Sequence, residues 1–572
     1  MRVIPPNKLF QPIRNINNSP GVITDISILS IIWILSIILV NPRGDFPLND
    51  DWSYGLAVKN LIDYGGYYPT PWTSMPLISQ VLWGWLFCVP SGFSFTALRF
   101  STLLLGLIGA AGTYLLLRQI GSNRSVTITG ACILAANPIY FSLSYTFMTD
   151  VPFTAFSVLA LLFLILYLQK ESNIHLIIGG CFTIIAVLCR QLGLFIPIAF
   201  TIAMVAKHGI SRRSFVRAGF IIVMGFGAKF LFEVWLQSGA GLPILYNATS
   251  ESLFQVLSNP NLILSISTLN MLYFVLYLGL FILPFILLLP FPLIELKSKF
   301  RVLSKILLGI FAVCLTAVFL MSHNILPQME NIIIKSGIGP ITLHDTYLFK
   351  LPNAEPLPIL FWITVTAFAI LGGCLLFIHI VTQLTRLFIN RREIKNSPDS
   401  IIKLFTLSAC IIYILPIIFT THPFDRWLLP LIPLLCTAIM VPTTVNQTKK
   451  RFIYVIFVPL IITAMTIFSI TGTRDYLSWN RTRWQALQNL TEKESISPNE
   501  IDGGFEFNGW YLCNSNQSST THKSIWGGLK TQYMITMGPV RGFELYREYT
   551  YDKWLPPGQA SIYVLRRTSV AK

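Results

Sequence analysis

Residues 150–170 read Asp-Val-Pro-Phe-Thr-Ala-Phe-Ser-Val-Leu-Ala-Leu-Leu-Phe-Leu-Ile-Leu-Tyr-Leu-Gln-Lys, with no charge between Asp150 and Lys170. An α-helix rises about 1.5 Å per residue, so this run is long enough to cross the roughly 30 Å hydrocarbon core of a bilayer. Runs of this kind recur along the chain, and a hydropathy reading places about thirteen of them. Their extents are 24–41, 96–117, 126–143, 150–169, 174–189, 192–206, 216–236, 270–294, 303–321, 357–380, 401–420, 427–442 and 452–471. The run 77–90 is apolar but short and bounded by Pro76 and Pro90, so it reads as a helix lying on the interface.

Composition agrees. Of 572 residues, 53% are hydrophobic and 12% charged, where a soluble domain carries roughly a quarter charged residues. A soluble core stops growing well before this length, so lipid is the solvent that accounts for the chain. The net charge of +17 comes from 42 Lys+Arg against 25 Asp+Glu. These basic residues stand in short clusters between apolar runs, the pattern of cytoplasmic loops, which excludes nucleic acid as a partner. Nine cysteines are present without a C-x-x-C. Eight of them (Cys88, Cys132, Cys181, Cys189, Cys314, Cys374, Cys410 and Cys436) lie in or beside apolar runs, and Cys513 alone in a polar region, so neither a disulfide framework nor a zinc site is expected.

Loop charge sets the topology. The N-terminal Arg2, Lys8 and Arg14, then Arg118/Arg124, Lys170, Lys207/Arg212/Arg213/Arg217, Lys297/Lys299/Arg301, Arg386/Arg391/Arg392/Lys395 and Lys449/Lys450/Arg451 fall on alternate loops, hence on the cytoplasmic side. Thr24 and Asp25 read as helix N-cap residues of a first span that ends in Asn-Pro-Arg-Gly and is retained. The expected fold is therefore an all-α polytopic transmembrane protein of the plasma membrane. It has a cytoplasmic segment 1–23, a multi-span domain 24–471 with a first outer loop 42–95, and a small extracytoplasmic domain 472–572. That tail is polar, carries Trp479, Trp484, Trp510, Trp526 and Trp554, and nears its end in the β-prone Ser561-Ile-Tyr-Val-Leu, so it reads as α+β.

The residues able to do chemistry gather on the outer side. Asn49-Asp50-Asp51-Trp52-Ser53-Tyr54 follows the first span; the two carboxylates read as a general base, a metal ligand or a helix N-cap, with Tyr54 a substrate contact. Asp150 opens the fourth span, as a functional acid at a membrane boundary or as an N-cap ahead of Pro152. Arg99, Arg190 and Arg426 are outer-facing arginines at span ends, suited to a lipid phosphate or to headgroup snorkelling. Gln191 follows Arg190 and reads as a substrate contact. Lys229 and Glu233, four apart, form a self-neutralising pair or lend Lys229 to a phosphate. His344, in Gly339-Pro-Ile-Thr-Leu-His-Asp-Thr-Tyr, is a loop histidine or a substrate contact. No Walker, H-E-x-x-H or G-x-S-x-G motif occurs.

The acidic pair of the first outer loop, the acid opening the fourth span, the Arg190-Gln191 turn and Phe424-Asp-Arg-Trp-Leu-Leu-Pro-Leu together resemble the GT-C fold glycosyltransferases. The closest resemblance is to the dolichyl-phosphate-mannose protein mannosyltransferases and lipid A aminoarabinose transferases, over roughly residues 24–471. His344-Asp-Thr-Tyr and Phe505-Glu-Phe-Asn-Gly-Trp are similar to bacterial members. The resemblance implies an inverting transfer on the outer face, from a polyprenyl-phosphate sugar to a hydroxyl acceptor, with lipid phosphate as leaving group. It implies Asp50 as general base and Asp150 as the second acid. The family often has Asp-Glu where this chain has Asp50-Asp51, so Asp51 could share the role. It further implies that arginine stabilises the leaving phosphate and that neither cofactor nor divalent metal is required. A lipid-linked sugar transporter or flippase, and a silent membrane scaffold, are the readings from other classes.

Overall fold

Side-chain oxygens at the helix ends show why the apolar runs start where they do. Ser94 Oγ accepts from Thr96 N at 3.1 Å, Asn123 Oδ1 from Val126 N at 2.9 Å, and Asn137 Oδ1 from Ile139 N and Tyr140 N at 3.0 and 3.1 Å. Each oxygen satisfies N–H groups that have no partner inside the helix. The computed structural model describes residues 20–290, 298–322, 325–440, 451–512 and 531–568. The basic N-terminal stretch with Arg2, Lys8 and Arg14, as well as Lys297, Lys449, Lys450, Cys513 and Trp526, lies outside the described residues.

Among the described residues, 9 helices are long and apolar enough to cross a membrane, or 10 if one bent pair counts as a single span. The protein is a predominantly helical, multi-pass membrane protein, and among the described residues three of the thirteen apolar runs fall short of one unbroken span-length helix. The run 126–143 breaks into Arg124–Ala135 and Pro138–Ser144, bent by 59°. Pro138 has no N–H to continue the ladder, and Asn137 caps a new helix instead. The run 174–189 forms a 17-residue helix, Asn173–Cys189. The run 427–442 yields only Leu431–Ile439, after a 3₁₀ turn at Asp425–Leu428. Hydropathy counts apolar residues and does not register the turns that shorten a helix.

Two other expectations change. The first helix, Pro20–Val40, begins upstream of Asp25, so that residue is not its cap. The Asp25 carboxylate lies 2.6 Å from Arg124 and accepts from the Tyr114 hydroxyl at 2.7 Å. The boundary expected at 472 falls inside one continuous helix, Arg451–Gln488.

Between the helices Pro260–Leu288 and Ile359–Ile389, backbone meets backbone. A Cβ placed on Gly279 would lie 2.2 Å from Gly373 N, so only glycine lets these axes approach. One end of the bundle carries a two-stranded ribbon, β1 (Ile333–Ile334) with β2 (Gly337–Ile338), and a four-stranded sheet. The strands of that sheet are β3 (Ile501–Asp502), β4 (Tyr533–Thr536), β5 (Phe543–Trp554) and β6 (Pro557–Arg567), in the order β3-β4-β6-β5. β3 and β4 run parallel, and the other pairs antiparallel. The β-prone segment at 561–565 lies in β6, as its β-branched and aromatic residues predict. Aromatic rings dock the tail onto the first outer loop: Phe505 meets Trp52 edge-on at 5.8 Å, and Trp510 stacks on Phe93 at 5.8 Å.

Candidate active site

Adjacent residues in an extended or turning chain point apart, and this separates the two acids of the first outer loop. Asn49 adopts φ 55°, a left-handed turn that asparagine tolerates. Asp50 follows at the N-cap position of the helix Asp51–Tyr64, yet its side chain makes no capping bond. Its carboxylate instead faces a cavity of about 420 Å³. There Oδ1 accepts from Trp72 Nε1 at 3.1 Å, and Oδ2 lies 3.4 Å from both Nη atoms of Arg426.

Asp51 points the other way. It is buried and accepts from Phe147 N at 2.9 Å. Burial pushes its carboxyl up to about 8, against the pull of the Phe147 amide and of Arg99. It does not line the cavity, which corrects the expectation that it could share the role of base.

Asp150 begins the helix Asp150–Lys170, and it too is not a cap. Its Oδ1 accepts from Arg190 Nη1 at 2.7 Å, and its Oδ2 lies 4.0 Å from Arg426 Nε. Arg190 leaves the preceding helix in an extended conformation and also donates to Thr149 Oγ1 at 3.0 Å. The turn behind it needs Gly193, where a Cβ would stand 2.8 Å from Val187 N. Arg426 therefore sits between the two acids, buried, with its guanidinium 4.8 Å from the Phe424 ring centroid. Next to it, Asp425 is pushed up to about 6 by burial, while the amides of Ile333 and Ile332 hold it down. Those bonds, at 2.9 to 3.2 Å, tie the loop after the Pro398–Ile418 helix to the outer segment at 332.

Tyr54 and Gln191 line the same cavity. Burial and then the charge of Asp50 push the Tyr54 phenol well above its ordinary value, so it stays protonated and able to donate. Gln191 Nε2 donates to Ser74 O at 3.1 Å. Trp72, Tyr347, Phe424, Trp427 and Phe505 add aromatic surface.

Three sequence candidates lie elsewhere. Arg99 is buried, and its guanidinium donates to the carbonyls of Pro42, Gly44 and Phe46, so it clamps the start of the first outer loop and does not face the cavity. Lys229 pairs with Glu233 at 2.5 Å on one helix face and stays outside the cavity wall, which leaves the self-neutralising reading. His344 donates or accepts at Asp502 Oδ2, 2.6 Å away, and joins the outer segment to the tail sheet. Burial raises the Asp502 carboxyl, but the hydrogen bond and charge of His344 outweigh it and hold the group below its ordinary value.

A missed residue is Glu506. Its Oε1 accepts from Asn49 N at 3.0 Å and both its oxygens from Thr342 Oγ1 at 2.6 Å, while Oε2 faces Arg483 Nη2 at 2.8 Å. The signal available was its place in Phe505-Glu-Phe-Asn-Gly-Trp; its partners lie too far away in sequence to be read. Among the described residues no group of three or more His, Cys, Asp or Glu side chains is arranged to hold a metal ion.

Residues 76–236 match the family model of dolichyl-phosphate-mannose-protein mannosyltransferases, a segment that contains Asp150, Arg190 and Gln191. No curated protein matches the chain. Among solved structures it is similar to ArnT from Cupriavidus metallidurans bound to undecaprenyl phosphate, at 10% identity and TM-score 0.44, covering 97% of this chain and 99% of that one. It is also similar to the oligosaccharyltransferase AglB from Archaeoglobus fulgidus in complex with an inhibitory peptide and a dolichol-phosphate, at 15% identity and TM-score 0.43, covering 86% and 60%. The S. cerevisiae protein O-mannosyltransferase complex bound to the sugar donor gives 17% identity and TM-score 0.32, covering 39% and 34%. The chain thus spans about a third of the length of the yeast protein and 60% of the archaeal one.

Proposed function

We propose that this protein is an inverting glycosyltransferase that moves a sugar from a polyprenyl-phosphate donor to a hydroxyl acceptor on the extracytoplasmic side. The observation that carries the reading is the line Asp50–Arg426–Asp150–Arg190, two carboxylates alternating with two guanidinium groups, in which Asp50, Arg426 and Arg190 line the cavity and Asp150 stands behind the two arginines. The mannosyltransferase family match over 76–236 supports the same reaction class.

In this reading Asp50 takes the proton of the acceptor hydroxyl as its oxygen bonds to the anomeric carbon. The bond from that carbon to the lipid phosphate breaks, and the phosphate leaves with the electron pair. Arg426 and Arg190 face the charge that builds there, and a buried guanidinium binds phosphate oxygens in pairs. Asp150 orients Arg190 and Arg426. Positive charge is therefore already present at the leaving group, and the reaction needs no divalent metal. Tyr54 and Gln191 contact the substrate. The N-terminus lies in the cytoplasm and the tail outside, because the basic loops alternate with those bearing the site.

The test is transfer in proteoliposomes with labelled polyprenyl-phosphate sugars and extracted envelope acceptors. Loss of transfer in Asp50→Asn with donor binding retained is the expected result. Undiminished transfer in that variant, or sugar-lipid movement across the bilayer without transfer, would sink the reading; the latter favours a flippase.

A further inference from the structure

A second cavity, of about 370 Å³, lies on the other side of the segment 339–342 from the first. Pro340 and Thr342 line the cavity that holds Asp50, while Gly339 and Ile341 line the second. Residues of this one segment alternate between the two cavities, so its backbone is the wall between them.

The second cavity is built from three parts of the fold: the outer segment 334–355, the helix Arg451–Gln488, and the β5–β6 hairpin. Trp479, Tyr551 and Tyr563 give it aromatic surface, and Asn353, Gln559 and Ser561 give it amides and a hydroxyl; these donate to Asp345, Asp552 and Glu548, which leaves their oxygens to accept from a ligand. Its charges nearly cancel. Asp475 is occupied, since its oxygens accept from Trp554 N and Leu555 N at 2.8 to 3.0 Å and meet Arg474 at 3.3 Å. That leaves Glu355 and Lys553, one of each sign and, among the described residues, in no ion pair.

The strand edge here is also open. β4 pairs with β6 only from Tyr563 to Arg566, so residues 559–562 have no strand partner on that side among the described residues. Backbone N–H and C=O groups on such an edge need partners.

A ligand that suits aromatic faces, amides, hydroxyls and free backbone groups, without net charge, is a carbohydrate. We infer that the second cavity is a subsite for a neutral saccharide, and that this saccharide is the glycan part of the acceptor, held across the 339–342 wall from the reacting centre. The acceptor role rests on the proposed transferase reading; the saccharide site does not. An extended peptide pairing with the β6 edge is the competing occupant; a peptide needs the edge alone and leaves the aromatic faces of Trp479, Tyr551 and Tyr563 unexplained.

The experiment uses the full chain carrying Asp50→Asn in lipid nanodiscs, so that no turnover intervenes. Saturation-transfer NMR and tryptophan fluorescence are recorded with maltotriose, cellotriose and mannotriose as probes. At least one is expected to bind saturably, and Lys553→Ala and Gln559→Ala, each checked for an unchanged melting temperature, to weaken it by about tenfold. On the wild-type background the same two substitutions should raise the acceptor KM by a similar factor and leave kcat and the donor KM unchanged. No binding of any trisaccharide, binding indifferent to both substitutions, or displacement of the probe by an unglycosylated peptide overturns the saccharide site. Saccharide binding with no change in acceptor KM overturns the acceptor role. Saccharide binding without transfer in any chain leaves the subsite standing and removes the transferase reading.

Discussion

Glu506 of the tail and Arg483 of the long helix are paired at 2.8 Å with side chains 1% and 0% exposed, directly behind the loop that presents Asp50. Glu506 accepts from the backbone N–H of Asn49, and Arg483 Nε donates to Gly503 O at 2.9 Å. The tail is therefore part of the frame of the site. Glu506 acts on Asp50 only through the backbone, as a positioning residue.

Replacing Glu506 by Gln keeps an oxygen for Asn49 N–H but leaves Arg483 without a counter-charge. Breaking a buried ion pair costs about 3–5 kcal/mol, so the melting temperature in detergent should fall clearly. Transfer should lose kcat with little change in donor KM, because the unpaired Arg483 shifts the tail, and with it the backbone at Asn49 that carries the base, while Arg190 and Arg426 stay. A loss confined to donor KM would contradict this role.

The neighbouring acids should respond in opposite ways. Asp50→Asn is expected to lower transfer by about a hundred- to ten-thousandfold, the range of a positioned base. Asp51→Asn should retain most activity, since its carboxyl is buried away from the cavity and already holds a proton near neutrality. Single-turnover rates for the two variants decide the point.

Asp51 also sets a pH dependence. Its folded pKa of about 8 lies above the ordinary value of 3.8, so the folded state holds a proton that the unfolded chain has lost. Its contribution to stability is complete below that ordinary value. It declines as pH rises through the window and is gone above about 8. Melting temperatures across this range should slope downward in the wild type and less steeply in Asp51→Asn; equal slopes would reject the buried proton.

Asp150 and Arg190 form a nearly buried pair, 2% and 10% exposed. Arg190→Gln leaves Asp150 with only Arg426, 4.0 Å away. Stability should drop by about 3–5 kcal/mol and be partly restored by adding Asp150→Asn, whereas transfer should stay low in the double variant. Additive losses of stability would show that the pair does not interact.

Positive charge at the proposed leaving group comes from Arg190 and Arg426, so incubation with EDTA should leave transfer unchanged. Arg426→Lys should weaken donor binding, because an ammonium cannot span two phosphate oxygens as a guanidinium does. A preparation inactivated by EDTA and restored by a divalent cation would reject this account of the charge.

Membrane residence, the recurrence of apolar helices and the β-prone end of the tail were legible along the chain, because each depends on the residue types within a short window. So was the gathering of acids and arginines at span ends, which put forward Asp50, Asp51, Asp150, Arg99, Arg190 and Arg426 without separating those that face the cavity from those that do not. The break at Pro138 and the shortness of Leu431–Ile439 were less so, since capping and turn geometry interrupt a run that remains apolar. Whether an acid at a helix start caps that helix or faces a cavity could not be read locally; both readings use the same residue at the same position. Packing decided it: Asp50 meets Arg426 across 376 residues of sequence, and Glu506 reaches Asn49 across 457. Solvent preference is a property of the local run, and so the residue types alone marked which segments are apolar enough for lipid. Which of the outer arginines binds loop carbonyls, as Arg99 does, and which line the cavity is a property of distance, and only the tertiary structure brought those partners within hydrogen-bond reach.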